Sequence, residues 1–382
     1  MPVPLLDLNI QNLALEDELK AAFERVLRSG QFILGPEVEG LESQLSAMLG
    51  VRHSIGVSSG TDAILLALMA LGIGPGDEVI CPTFTFFATA GCVSRVGATP
   101  VFVDSCPSCF NLRAGEVSRK ITSRTKAIMP VHLFGQAAAM EEILDLARSR
   151  EIPVIEDAAQ SLGAEYKGQP VGGLGTFGTF SFFPSKNLSG FGDGGLVVTN
   201  DDELAAKSRS LRAHGAKPKY YHKYVGGNFR IDPLFAALLA VKLPHYRGYT
   251  SKRQANAAHY TEELSKLPGA ALTAGADKIC GAGDLPVDLP AGIRLVLPAA
   301  HRNASHIWNQ YTLRVPGAGR RDALRDALKA RKIGTEVYYP VPMHRQECFA
   351  DLASAGESLP IADRLSSEAL SIPIYPELAR AQ

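Results

Sequence analysis

Between residues 54 and 200 the chain alternates two textures. Short runs rich in β-branched and aromatic residues, "EVICP", "TPVFVD", "AIMPVHL", "PVIED", "TFSFF" and "GLVVT", read as strands, and helical patterns such as "MEEILDLARSR" lie between them. The segment "TDAILLALMALG" is apolar on nearly every face, which marks a helix buried on all sides, with Gly72 close to its end. Strand and helix in alternation predict an α/β fold with a mostly parallel central sheet covered on both faces. In such sheets ligands bind beyond the carboxyl ends of the strands.

After residue 230 the texture changes. "PLFAALLAVKLPHYRGYTSKRQANAAHYTEELSKL" is helix-rich and bridges to a second unit, and residues 268 to 299, with much Gly, Ala and Pro, predict irregular connections. "HIWNQYTLRV", the helix "RRDALRDALKARK" and "TEVYYP" then suggest a smaller α+β domain. The expected division is a large α/β domain over 1–245, with a helical N-terminal segment, and a small C-terminal domain over 246–382.

Composition narrows the partners. With 382 residues, 46% of them hydrophobic, the chain has material for a large core, and 39 basic against 39 acidic residues leave no field to draw in nucleic acid or an anionic membrane. Any anion must be caught locally, so the expected partner is small. No apolar run approaches the roughly 20 residues of a membrane span, and the N-terminus "MPVPLLDLNIQNLALEDELK" lacks the pattern of a signal peptide, so a cytoplasmic protein is expected. Six scattered cysteines are too few for a disulfide framework in so long a chain. Cys106 and Cys109 form a C-x-x-C, but no second C-x-x-C or H-x-x-H completes a zinc site, and they read as incidental loop cysteines.

Two glycine-rich stretches have different meanings. "GLGTFG", residues 173–178, fits G-x-G-x-x-G, but it precedes a strand instead of opening a helix, so it offers no helix N-terminus to a pyrophosphate. "VSSGTDAILLALMALG" does the opposite: Gly60 and Thr61 lie where a strand-like segment enters a helix, where exposed amides and the helix dipole favour an anion. The same residues also read as a plain N-cap. Asp157, at the end of "PVIED", lies at the crevice edge, either as a helix cap for the following "AAQSLGA" or as a functional acid. Lys186 follows the next strand on a short polar turn and projects toward the same crevice. A lysine at the edge of an apolar pocket loses its proton more easily and attacks carbonyls, whereas a surface lysine near a glycine turn is merely solvated, and taken alone Lys186 reads as the latter. Paired with a buried acid it suits pyridoxal phosphate: the lysine forms the Schiff base and the acid keeps the pyridinium protonated as an electron sink. Ser181 adds a hydroxyl near the phosphate.

The ordered set "SSGTDA", "PTFTFFATA", "GATPVFVD", "VIEDAAQSLGAEYKG", "FSFFPSKNLSGFGDGG", "LRAHG", "GGNFRID" and "TEVYYPVPMH" resembles the sugar aminotransferases of the DegT/DnrJ/EryC1/StrS family over nearly the whole chain. The resemblance implies the aspartate aminotransferase fold (fold type I), a homodimer with shared active sites, and amino transfer from L-glutamate to a nucleotide-linked keto-sugar through pyridoxal and pyridoxamine 5′-phosphate. By motif, Lys186 matches the Schiff-base lysine and Asp157 the pyridinium partner. Gln160 matches the position beside the cofactor's phenolic oxygen, and Phe86 the aromatic stacked on its ring. Gly60, Thr61 and Ser181 match phosphate contacts, and Asn228 a phosphate contact given by the neighbouring subunit. Arg230 is a candidate for a substrate carboxylate or for an interface ion pair; His344 matches a histidine near the substrate entrance or is structural.

Relatives continue past "IYPEL" with a final helix, whereas "PELARAQ" ends this sequence, beyond every matched residue. Two rivals share the fold. A sugar 3-dehydratase replaces the lysine with histidine, which Lys186 argues against, and a non-catalytic nucleotide-sugar sensor needs no nucleophile aligned with an electron sink. "GQFILGPEVEGLE", "HGAKPKYYHKYVGGN" and "VPMH" are expected to shape the sugar pocket. The resemblance favours a UDP- or dTDP-linked 3-keto hexose, for amino sugars of surface polysaccharides or glycosylated metabolites.

Overall fold

The segment that is apolar all round forms the buried helix Gly60–Leu71. Ser59, extended at φ −164°, caps it by accepting the Asp62 amide at 3.0 Å, and Gly72 ends it at φ 75°, a left-handed conformation that a Cβ disfavours. The protein is described by a computed structural model covering residues 2–272, 289, 291–301, 303–352 and 356–382.

The strands follow the sequence pattern closely. Thr99–Val103, Glu78–Pro82 and Thr125–Ile128 pair in that order, all parallel. His53–Val57, Gly195–Thr199, Phe177–Ser181 and Ile155–Asp157 form a second row. Parallel bridges from Ile128 to Val154 and from Val131 to Asp157 join the two rows into one sheet. Gly195–Thr199 alone runs antiparallel to its neighbours. It follows Phe177–Ser181 with no crossover helix, and without such a crossover a strand can return only in the opposite direction. "AIMPVHL" gives a shorter strand than its apolar length predicts. Pro130 has no N–H to continue the ladder, though its carbonyl still accepts the Asp157 amide at 2.9 Å.

Successive residues of these strands enter different cores, as a pleat of period two requires. Val79, Cys81, Phe102 and Val197 pack with the helix Gly60–Leu71, while Ile80, Val103, Leu196 and Val198 pack with Val38, Leu41 and Leu45 of the helix Pro36–Leu49. Each such fully buried Leu, Ile, Val or Phe contributes roughly 1.5–3 kcal/mol. This two-sided burial holds the strand ends in fixed positions.

The helix Tyr246–Leu264 leads to the C-terminal sheet, in which Ala270–Leu272, Leu295–Leu297, Tyr311–Arg314 and Ala369–Ile372 are neighbours in that order. "RRDALRDALKARK" becomes the helix Arg320–Ala330 as its pattern predicts. Much of the stretch read as irregular, 273–288 and 290, lies outside the described residues. Cys109 is disulfide-bonded, and not to Cys106, so the C-x-x-C is no redox pair and the expectation of an incidental cysteine is corrected at Cys109. Among the described residues no helix is long and apolar enough to cross a membrane.

Candidate active site

At the carboxyl ends of the central strands lies a cavity of about 430 Å³. Lys186 and Asp157 both line it, with Thr61, Phe86, Gln160 and Ser181. Lys186 sits on the turn after Phe177–Ser181, held by its amide donating to the Phe183 carbonyl at 2.8 Å. Burial pushes its ammonium down to about 8, against the opposing pull of Asp157. The nucleophilic form is therefore populated near neutral pH.

Asp157 ends the strand Ile155–Asp157 and is 5% exposed. No helix follows it, so it caps none; Oδ1 accepts the Ala159 amide at 3.2 Å and Oδ2 accepts the Thr89 hydroxyl at 2.8 Å. Burial pushes its carboxyl above the usual range, opposed by the Thr89 hydroxyl, the Ala159 amide and the charge of Lys186. An anion so placed gains from a further cationic donor inside the cavity. Beside it, His132 Nδ1 accepts the Ala138 amide at 3.0 Å, so Nε2 carries the hydrogen donated to Glu156 at 2.9 Å. Glu156 also accepts the amides of Gly172, Leu174 and Gly175 at 2.6–2.8 Å. The glycine motif that mimics a dinucleotide fingerprint thus wraps a carboxylate of its own chain.

Gln160 spans the floor: Oε1 accepts the Phe134 amide at 2.7 Å and Nε2 donates to the Tyr339 hydroxyl at 3.1 Å. Phe86, just before the helix Phe87–Arg95, is 57% exposed, with its ring 6.4 Å from that of Tyr339. At the other end, the start of Gly60–Leu71 presents its first amides beside Ser181. A Cβ on Gly60 would lie 2.7 Å from the Ser181 Cβ, so only glycine lets the helix terminus and the strand end meet. Free amides, two hydroxyl side chains and a helix dipole together form an anion cup.

Three predicted residues stand elsewhere. Asn228 is exposed and pairs by backbone with Ala213. Arg230 pairs by backbone with Val57, and its buried Nε has no hydrogen-bond partner among the described residues. His344 is 1% exposed; Nδ1 meets the Thr83 hydroxyl at 2.8 Å, and Nε2 lies 3.4 Å from the Asp363 carboxylate without a hydrogen bond. None of the three lines the cavity. The sequence reading missed Thr89 and Tyr339, although both lie inside quoted motifs. Thr89 stands three residues after Phe86, on the helical face that returns to Asp157, and that spacing was the available signal.

Comparison with known proteins decides the kinship. The sequence profile of the DegT/DnrJ/EryC1/StrS aminotransferase family matches residues 14–280 and 288–382. The chain belongs to that family. It is 47% identical over 100% of its length to a pleiotropic regulatory protein of Geobacillus stearothermophilus, covering 96% of that protein. It is 42% identical to a UDP-N-acetyl-3-dehydro-alpha-D-glucosamine 3-aminotransferase of Acidithiobacillus ferrooxidans, covering 100% of this chain and 95% of the relative. Among solved structures, DesV of S. venezuelae in complex with a ketimine intermediate superposes with a TM-score of 0.90 at 41% identity, covering 100% of this chain and 95% of that one. The fold is that of the fold type I pyridoxal-phosphate-dependent transferases.

Proposed function

We propose that this aminotransferase moves the amino group of L-glutamate to the keto carbon of a UDP- or dTDP-linked 3-keto hexose. The observation that carries the reading is the meeting of a depressed lysine and a buried carboxylate on one cavity, with an anion cup at its far end. Those donors fit pyridoxal phosphate. Asp157, whose buried carboxylate lacks a full cationic partner, suits a protonated ring nitrogen, and the Gly60 cradle suits a phosphate. The relatives' substrates support a nucleotide sugar.

When bound, the cofactor takes up the amino group and stores the electron pair released at the substrate carbon. Lys186 moves the proton, first from the amino acid Cα and later to the sugar carbon, which requires an amine that is neutral for much of the time near pH 8. Asp157 keeps the ring nitrogen protonated, and Thr89 fixes the carboxylate's orientation. Gln160 would lie beside the ring's phenolic oxygen, and Phe86 would cover one face. Gly60, Thr61 and Ser181 would hold the phosphate.

The second half of the proposal is a homodimer in which Asn228 completes the partner's phosphate site and Arg230 faces its substrate. The support is the segment before Asn228: Tyr220, Tyr221 and Val225 are 79%, 71% and 93% exposed, apolar surface that a second copy would cover. His344, tied to Thr83, supports the segment before it instead of touching sugar. In the same reading residues 1–245 hold the cofactor and 246–382 close over it, which Gln310, Tyr338 and Tyr339 support by reaching the cavity from the later part.

The regulatory name of one relative favours a second reading, a sensor that binds nucleotide sugar without turnover. One experiment separates them: glutamate is supplied with a panel of 3-keto and 4-keto nucleotide sugars, and 2-oxoglutarate is measured. Release with 3-keto substrates supports the proposal. Release with 4-keto sugars alone removes the C3 assignment, and binding without release supports the sensor.

A further inference from the structure

The helix Pro233–Lys242 is apolar except at its end, where Lys242 is 1% exposed. A buried ammonium requires an account, because a methionine of similar length would fill the space without the cost of desolvation. Two of its protons have hydrogen-bond acceptors, and an aromatic ring lies on a third side. Nζ donates to Asn12 Oδ1 at 3.0 Å and to Ser189 Oγ, and lies 5.2 Å from the centre of the Phe191 ring. The end of a helix also favours a cation. No carboxylate is hydrogen-bonded to it among the described residues. Burial pulls the group down to about 8, with Glu377 opposing.

Ser189 and Phe191 belong to the turn that carries Lys186. That turn is closed by the amides of Lys186, donating to Phe183, and of Gly190, donating to Phe182, both at 2.8 Å. Its base lies against the same helix. A Cβ on Gly190 would stand 2.1 Å from Phe235 Cζ, so the glycine admits the ring, and Phe235 stands seven residues before Lys242 on one helical face. Ser189 Oγ in turn donates to Gln11 Oε1 at 3.2 Å, which brings the helix Asn9–Leu13 to the same point. The apolar contact sets the depth of the turn. A hydrogen bond fixes its direction.

We propose that Lys242 is a positioning residue for the reaction: its buried ammonium grips Ser189 and Phe191 and so aims the turn that presents Lys186 to the cavity. The inference rests on the reading of Lys186 as the reacting amine. The step it serves is condensation of Lys186 with the cofactor aldehyde, in which the nitrogen bonds to the aldehyde carbon and the oxygen leaves as water. The anion cup and Asp157 stand on the helix Gly60–Leu71 and on strand ends, outside this turn.

The test uses Lys242→Met, Lys242→Arg and Ser189→Ala, with Lys186→Ala as control. Purified enzyme is stripped of cofactor, and two quantities are read: the rate at which the visible absorbance of the lysine adduct forms with pyridoxal phosphate, and the Kd for pyridoxine 5′-phosphate, which has no aldehyde. Lys242→Met should slow adduct formation on the order of tenfold to a hundredfold while the Kd for pyridoxine phosphate stays within about twofold. Ser189→Ala should move the same way, Lys242→Arg should recover part of the rate, and kcat should fall with KM little changed. Wild-type adduct rates in both Lys242→Met and Ser189→Ala overturn the proposal, as does a parallel loss of pyridoxine phosphate binding, which marks a merely structural lysine. If Lys242→Met fails to fold, Ser189→Ala decides alone by the same rate. Turnover by Lys186→Ala defeats the underlying assignment of the amine, an outcome distinct from the others.

Discussion

A lysine whose charged form is disfavoured by burial should weaken the fold that holds it. Lys186 falls from 10.5 to about 8 on burial, and at about 1.4 kcal/mol per pKa unit this is an unfavourable contribution on the order of 3 kcal/mol. The half-buried amine keeps some hydration, so the figure is an upper bound. Replacing Lys186 by methionine also deprives Asp157 of a cation that lowers its carboxyl pKa, which takes back part of the gain. Lys186→Met in the cofactor-free protein should therefore be more stable than wild type by about 1–3 kcal/mol at neutral pH, while losing all turnover.

The pH dependence gives this prediction its sign. A lysine whose folded pKa is below its unfolded value destabilises most where it is charged in both states, below about 8. As pH rises from about 8 toward 10.5 the unfolded chain binds more protons than the folded one, so wild-type stability recovers. The advantage of Lys186→Met should shrink by roughly half between pH 7 and 9.5. Urea denaturation of both cofactor-free proteins across that range is the assay. A variant no more stable at pH 7, or an advantage that grows with pH, would refute the claim that burial depresses this amine.

Three further outcomes are expected. Asp157→Asn should bind cofactor yet lose orders of magnitude in turnover, because an amide cannot hold the ring nitrogen protonated, while melting temperature moves little; turnover near wild type would remove the electron-sink role. Gly60→Ala should weaken binding of inorganic phosphate and pyridoxine phosphate alike, since the added Cβ pushes Ser181 away; unchanged affinities would place the anion elsewhere. Heterodimers of Lys186→Ala with Asn228→Ala should regain activity if each single variant is dead, because one of their two sites then draws only intact residues. Isolated heterodimers that stay dead would return Asn228 to its own chain.

How much of this was legible beforehand depended on the range of each interaction. The helix Gly60–Leu71 and the strands were written locally, in period and caps, and so was the turn that carries Lys186. The reversal of Gly195–Thr199 was not, because its apolar pattern is the same in either direction; the missing crossover was the clue. Asp157 was recognised as an acid at a strand end, but its partner Thr89 lies 68 residues away in sequence. His344 illustrates the converse. A histidine in this motif could be read as a substrate neighbour or as structural, because its partner Thr83 is 261 residues distant and only the folded chain shows the ring buried against it.

The buried polar groups of this chain divide by the job they perform. Glu156 accepts His132 and three backbone amides and is fully satisfied, so it tightens the loop behind the sheet. Asp157, one residue on and facing the opposite side, accepts two donors and keeps a raised pKa. The alternation of a single strand thus places a finished carboxylate toward the interior and an unfinished one toward the cavity. Lys186 and Lys242 repeat the contrast across one turn, the first facing the cavity and the second closed on its acceptors. Where a buried group is satisfied within the chain it fixes geometry, and where it is left in want of a partner it has capacity for a ligand. By that criterion the pair Lys186 and Asp157 has capacity for a ligand, which is what the proposed reaction asks of it, and the satisfied groups behind them hold the pair in place.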